Sequence, residues 1–139
     1  NLTAYLPKPL VRIFLSQQGT DFSEKISSEA IANHIHRLDK TRARQVIKAR
    51  ADVIEARYAQ AVSLAEEQLG AMSEQAQNVF GQRFSREIER LQYLKSINPN
   101  VRDSEIRDLE RLKEQGLQAL GQLSLIPDSI RVLVAVKPH

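Results

Sequence analysis

The 139-residue sequence contains no cysteine, so it can form neither a disulfide nor a metal site built on thiolates. Its five glycines are scattered, and neither a G-x-x-x-x-G-K-S/T loop nor a G-x-G-x-x-G turn occurs. These absences exclude the usual means of binding nucleotide phosphates. The longest apolar runs, such as residues 130–136, are too short to span a bilayer. We therefore expect no catalytic, cofactor-binding or metal-binding residue here, and no membrane association.

The composition that remains is that of an ordinary globular domain, with 42% hydrophobic and 27% charged residues. The net charge is only +3, but its distribution is uneven. Residues 37–57 hold seven basic and three acidic side chains, a local net charge of +4. The chain opens at Asn1 without a methionine or a signal peptide. We interpret it as intracellular and as part of a longer protein.

Both ends of the sequence have strand patterns. Residues 10–16 are rich in β-branched and aromatic side chains, Gly19 suits a turn, and residues 21–26 alternate apolar with polar. We predict a β-hairpin within 1–27. A closing strand over 130–136 would supply the third partner that a marginal hairpin needs. The predicted fold class is α+β, mainly α, with one small antiparallel sheet that joins the two ends.

Helical periodicity dominates residues 28–97. A short helix over 28–38 leads to the basic segment, where Asp39 or Thr41 can cap the next helix. From Ala43 onwards the apolar positions step by three and four as far as Leu94, with Gly70 as the only candidate break. If Gly70 is tolerated, at about 1 kcal/mol, one helix of about 55 residues would run roughly 80 Å. If Gly70 ends a helix, the chain forms a three-helix bundle instead. We expect the long helix.

The predicted packing of the helices depends on a corner formed by Asn98, Pro99, Asn100 and Asp103. Pro99 should stop the preceding helix by about Ile97, because proline lacks an amide hydrogen and pushes the residue before it out of the α region. Asn100 can then cap a return helix over 101–123, with Asp103 bonding back. Helices joined so tightly should pack antiparallel.

One local pattern suggests binding. On a helix, four basic side chains at spacings of 3, 4 and 4 would share one face about 16 Å long: Arg37, Lys40, Arg44 and Lys48. Such a face could follow nucleic-acid phosphates, although no aromatic side chain is interleaved to stack on bases. Many surface helices share this pattern. The His34-x-His36 pair has no third ligand nearby, so we interpret it as two surface histidines rather than a metal site. Tyr93, near the corner, is either an interface anchor or a core residue.

Residues 90–106 read RLQYLKSINPNVRDSEI. This segment resembles a motif in the last part of the RapA family, also called HepA, of bacterial RNA polymerase-associated, helicase-like ATPases of the Swi/Snf type. Residues 5–19 resemble that family's hairpin before the terminal helices, and residues 130–134 resemble its closing strand. The resemblance covers essentially the whole sequence in order and spacing.

The resemblance implies that residues 1–139 form a single C-terminal accessory domain, non-catalytic by itself, of an ATPase that recycles RNA polymerase during transcription. ATP and Mg²⁺ would bind to motor lobes that precede this region, so no catalytic residue is carried over. The implied partners are core RNA polymerase and the ATPase lobes of the same chain, in the bacterial cytoplasm near the nucleoid. DNA or RNA contact and self-association are further expectations. The alternative is a stand-alone helical module that binds nucleic acid or a protein through its basic face, residues 37–57.

Overall fold

A computed structural model describes residues 2–6 and 10–135 of the chain. A 3-10 helix, Leu2–Tyr5, is followed by four α-helices: α1 (Ser28–Ala32), α2 (Lys40–Ala49), α3 (Ala51–Ile97) and α4 (Asp103–Gly121). The predicted mainly α character is confirmed. Two compact units divide the chain: a first unit of Asn1–Leu10 and Glu67–Ser124, and a second unit of Val11–Glu66 and Leu125–His139.

The long helix α3 passes through Gly70 without a break. A Cβ atom added at Gly70 would meet nothing within 4 Å, so no packing interaction requires glycine there. The three-helix bundle with a break at Gly70 is therefore wrong. The helical run is interrupted instead at Arg50, which separates α2 from α3 with φ −115° and ψ 19°. Neither proline nor glycine occupies this position, and nothing in the local sequence explains the interruption.

In the first unit, α4 packs antiparallel to the second half of α3. The Ser73 hydroxyl on α3 donates to the backbone carbonyl of Leu120 on α4, at 2.6 Å. At the opposite end of the pair, Lys95 forms an ion pair with Asp103. Residues near the middle of α3 thus meet the end of α4, and the end of α3 meets the start of α4. The predicted helix, corner and return helix are present, although α4 covers Asp103–Gly121 rather than 101–123.

The core lies between these two helices and is sealed by the N-terminal segment. Its fully enclosed residues are Ala76, Phe80 and Leu120, and the apolar side chains packed around them are Leu2, Tyr5, Leu6, Phe84 and Leu117. The Tyr5 ring meets the Phe80 ring edge to face, with centroids 5.1 Å apart. This arrangement is typical of stable aromatic pairs. Every side chain that the structure describes as buried belongs to this first unit.

Gly116 is what lets the two helices approach at this core. A Cβ atom built on Gly116 would overlap the Phe80 ring. Phe80 has little room to move, because its ring is 4% exposed and lies between Tyr5 and Phe84. The absent side chain at position 116 therefore sets the helix separation.

The predicted N-terminal β-hairpin is present only as a turn. Leu15 and Asp21 form a single antiparallel bridge around Gly19, whose φ is +90°, and no β-strand occurs within residues 2–6 and 10–135. Side chains compete with the ladder: Ser23 Oγ accepts from the Phe14 amide at 2.8 Å, and Asp21 Oδ1 accepts from the Ser23 amide at 2.9 Å. Short polar side chains that bond locally to backbone divert a chain from strand pairing. The expected returning strand 21–26 accordingly becomes a turn.

The predicted closing strand is also absent from the part of the chain that the structure describes. Residues 130–135 have no regular secondary structure, and Val136 lies outside the described residues. Val132, Leu133 and Val134 are all exposed, although an alternating strand would bury one face. The segment does belong to the same compact unit as the turn at Gly19. The alternating pattern had no sheet edge to pair with, because one isolated bridge offers none.

None of the helices described by the structure combines the length and the apolar character needed to cross a membrane.

Candidate functional site

Helix α2 carries most of the predicted basic face, and its start is set by Asp39. The Asp39 side chain accepts a hydrogen bond from the Arg42 amide at 2.8 Å, which makes Asp39 the N-cap. Of the two caps that the sequence offered, Asp39 and Thr41, the helix uses Asp39. Because α1 ends at Ala32 and α2 begins at Lys40, the helix expected over 28–38 is too long. Arg37 falls in the irregular segment between them and is not part of a helical face.

Lys40, Arg44 and Lys48 remain on one face of α2, four residues apart, over about 12 Å. All three side chains are exposed, and none of the described carboxylates forms an ion pair with them. Ten residues of α2 include four cations and no acidic residue. Cations in the first turn oppose the helix dipole, so Lys40 and Arg42 do not favour the helix electrostatically. The positive charge of α2 therefore does not stabilise the helix, but it would attract an anionic partner.

His34 and His36 lie in the same irregular segment as Arg37 and are exposed. Among the described residues, no group of three or more metal-ligating side chains converges. The two histidines therefore lack a geometry from which a metal site could be argued.

The corner between α3 and α4 differs from its prediction in the residue that caps α4. Helix α3 ends at Ile97, as Pro99 requires, but the N-cap of α4 is Arg102, which makes no side-chain capping bond. Asn100 is therefore not the cap, because the corner is two residues longer than expected. Instead, Asn98 Oδ1 accepts from the Asn100 amide at 3.0 Å and holds the turn itself.

Asp103 bonds across the corner rather than back to a cap. Its carboxylate forms an ion pair with Lys95 on the last turn of α3, and both side chains are partly exposed. The interaction pins the start of α4 to the end of α3. Exposed ion pairs of this kind contribute little stability, roughly 0–1 kcal/mol, so the corner is positioned mainly by its backbone and by the helix packing.

A second surface runs along the exposed side of α3 in the first unit, and Tyr93 is its only member for which the sequence suggested an interface role. We define the α3 stripe as six exposed residues: Val79, Arg83, Arg86, Arg90, Tyr93 and Ile97. Tyr93, which could have been core, is 67% exposed. The signal that could have revealed the stripe is the alternation of four and three residues between its members, which keeps them on one side of a helix.

Hydrogen bonds orient two arginines of the α3 stripe. Arg90 holds both carboxylate oxygens of Glu87, with Nε to Oε2 at 3.2 Å. This bidentate bond lowers the pKa of Glu87 and raises that of Arg90. Arg83 Nη1 donates to the Tyr5 hydroxyl at 3.1 Å. Arg86 is exposed between them.

A shallow groove of about 460 Å³ follows the α3–α4 seam, lined by Ile88, Glu89, Glu110 and Lys113 among others. The groove is open to solvent. Acid–base chemistry needs carboxylates that converge in an enclosed pocket. The groove gives no basis for assigning a reaction.

The continuous helix, the proline corner and the antiparallel return helix define a mainly α-helical domain organised around a helical hairpin. Residues 1–135 match the family described as "RNA polymerase recycling family C-terminal", RapA_C, and the chain belongs to that family. The resemblance seen in the corner motif is confirmed.

Full-length relatives support the same assignment. The chain is 32% identical to "RNA polymerase-associated protein RapA" of Serratia proteamaculans over 133 residues, which cover 96% of this chain and 14% of that protein. It is 31% identical to the protein of the same name from Pasteurella multocida over 140 residues, 98% of this chain and 14% of the relative. The relative from Yersinia enterocolitica is 31% identical over 133 residues, again 14% of its length. The chain thus spans about one seventh of the length of the relatives it matches.

Proposed function

We propose that this chain is the non-catalytic accessory domain of an RNA polymerase-associated ATPase of the Swi/Snf type, which recycles RNA polymerase during transcription in the bacterial cytoplasm. The observation that carries the proposal is the match of 96% of the chain to proteins named RNA polymerase-associated protein RapA. ATP and Mg²⁺ would bind to lobes outside this sequence. The partners would be those lobes and core RNA polymerase.

The first unit supports such a role physically. Its helices are held at both ends, by the Ser73–Leu120 hydrogen bond and the Lys95–Asp103 ion pair, and its core encloses Phe80. A helical hairpin fixed in this way keeps its outer surface in one geometry, so it can brace a neighbouring lobe or present a binding surface. Pre-organisation of this kind favours association, because little flexibility is lost on binding.

The test uses the full-length protein that contains this chain, with and without residues 1–139. Removing them should leave ATP hydrolysis by the motor lobes measurable but reduce both retention of core RNA polymerase and the yield of multiple-round transcription. Unchanged retention and an unchanged multiple-round yield would refute the proposal. A Gly116→Leu variant, which should disrupt the hairpin core, serves as the point-mutation counterpart of the deletion.

A second candidate function is nucleic-acid binding through α2, alone or alongside the first. It is favoured by the four cations and absent carboxylates of this ten-residue helix. Three phosphate contacts, from Lys40, Arg44 and Lys48, would give a slope of about −3 for log affinity against log salt on duplex DNA. Arg37 would add a contact only from outside the helix.

Binding of a labelled DNA duplex, followed by anisotropy at several salt concentrations, tests this candidate. Arg44→Glu with Lys48→Glu should weaken binding and flatten the salt slope. The matched control is Arg107→Glu with Arg111→Glu, a reversal of two exposed charges at the same spacing on α4. If the two double substitutions weaken binding equally, binding depends only on the net charge of the protein, and α2 is not the binding site.

A further inference from the structure

The α3 stripe is a continuous seam along one face of the helix. Its six members follow one another at 4, 3, 4, 3 and 4 residues, an average of 3.6 that matches the α-helical period, so a second helix can lie alongside. From Val79 to Ile97 the seam is about 27 Å long, or five turns. The buried face of α3, which includes Phe80 and Ile88, is a different side of the helix. The stripe is thus not part of the α3–α4 packing.

The composition of the α3 stripe is that of a protein interface. Its two ends are apolar or aromatic and well exposed: Val79 at 50%, Tyr93 at 67% and Ile97 at 65%. Tyrosine and arginine are enriched among the residues that dominate binding energy. Tyr93 and Ile97 lie four apart, so together they form one continuous exposed apolar patch next to Arg90.

The apolar ends of the stripe favour a protein over nucleic acid. Val79, Tyr93 and Ile97 are exposed, and they would gain nothing from contact with a phosphate backbone. A protein surface can match both these ends and the arginines, because it can place carboxylates against the arginines and apolar side chains against the ends.

We propose that the α3 stripe docks an acidic amphipathic helix of a protein partner. Glutamate or aspartate at the centre of that helix pairs with Arg83, Arg86 and Arg90, and apolar residues near its ends cover Tyr93, Ile97 and Val79. Guanidinium groups suit this role, since they bind carboxylates bidentately. The site is separate from α2 and does not depend on a role in polymerase recycling.

The probe is a synthetic labelled peptide of about three heptads, helical by design, with glutamates at the central seam positions and leucines at the outer ones. Anisotropy with the 139-residue chain should show saturable binding. Arg86→Glu with Arg90→Glu should weaken it by about tenfold or more, because like charges then face each other. A peptide with lysine in place of each glutamate should bind this variant better than the original peptide does. That charge swap separates a direct contact from a loss of folding.

The matched control is again Arg107→Glu with Arg111→Glu. Arg111 is bonded to Asp108 three residues earlier, as Arg90 is to Glu87, so the pair reproduces both the spacing and the local ion pair. This control should leave peptide binding unchanged. If circular dichroism shows that the double stripe variant is unfolded, Arg86→Glu alone is used, since no bond within the described chain involves Arg86.

Several results would overturn the proposal. These are the absence of saturable peptide binding, an equal loss with the control pair, and failure of the lysine peptide to rescue. Single-stranded RNA binding that is lost with the stripe variant would identify a nucleic-acid site instead. A concentration-dependent dimer, seen by light scattering and abolished by the stripe variant, would identify a second copy as the occupant.

Discussion

Gly116 and Gly70 both lie inside helices, yet their surroundings differ completely. Position 116 faces the enclosed Phe80 ring, whereas position 70 faces open space. The same residue type therefore has a packing role at one site and none at the other. The contrast yields a matched pair of substitutions at the residue scale.

Gly116→Ala should lower the free energy of unfolding by about 1–3 kcal/mol, because the added methyl group overlaps the Phe80 ring. Gly70→Ala should raise it by about 0.5–1 kcal/mol, since alanine restricts the unfolded chain and fits the helix. Urea unfolding followed by circular dichroism measures both. Shifts of the same sign would contradict the assigned close approach.

Asn98 and Asn100 form a second pair at this scale. Asn98→Ala removes the hydrogen bond to the Asn100 amide and should cost about 0.5–1.5 kcal/mol. Asn100→Ala should cost much less, because only the backbone amide of that residue takes part in this bond. Thermal melts of the two variants decide the matter. A larger loss for Asn100→Ala would restore the capping role that the sequence had suggested.

At the scale of the element, the Glu87–Arg90 bond on α3 makes a pH-dependent contribution. The hydrogen bond from Arg90 holds the pKa of Glu87 below its usual value in the folded state. The contribution is therefore fully present at neutral pH and is lost as the pH falls through that lowered pKa. Salt reduces it, since both groups are exposed.

Carboxyl titration by NMR tests this element directly. Arg90→Gln should raise the pKa of Glu87 toward its ordinary value, because the charged hydrogen bond is gone. Arg111→Gln, which breaks the corresponding bond on α4, should leave the pKa of Glu87 unchanged. An unaltered pKa after Arg90→Gln would show that the bond is not formed in solution.

At the scale of the whole molecule, the two units differ in what holds them together. All side chains that the structure describes as buried lie in the first unit. In the second unit no described side chain is buried: Gln60 Nε2 donates to the Gly19 carbonyl at 2.8 Å, and the Phe14 and Phe22 rings meet with centroids 6.4 Å apart. Few buried apolar contacts mean a low free energy of local opening.

The rates of amide hydrogen exchange should therefore differ between the two units. Amides of α4 and of α3 beyond Glu67 should exchange more slowly than those of α2, because opening them exposes the core around Phe80. Mass spectrometry of the exchanging protein provides the measurement, with Gly116→Ala as the variant that should accelerate exchange in the first unit alone. Uniform protection along α2 and α4 would contradict this division.

The sequence by itself determined the helices and their limits near strong local signals. Pro99 ended α3 at Ile97, Asp39 capped α2, and the uninterrupted apolar spacing carried α3 through Gly70, because each effect acts within one or two helical turns. It also identified the family, since the corner motif is dense in specific residues.

Only the tertiary structure decided which sequence patterns became secondary structure and which side chains became buried or exposed. The strand patterns at both ends did not form a sheet among the described residues, because side chains of Asp21 and Ser23 took the backbone bonds that a ladder needs. Exposure of Tyr93 and the fit of Gly116 against Phe80 depend on where α4 and the N-terminal segment pack. Contacts between residues far apart in sequence cannot be read from local spacing, and those contacts set both the core and the surface left for binding.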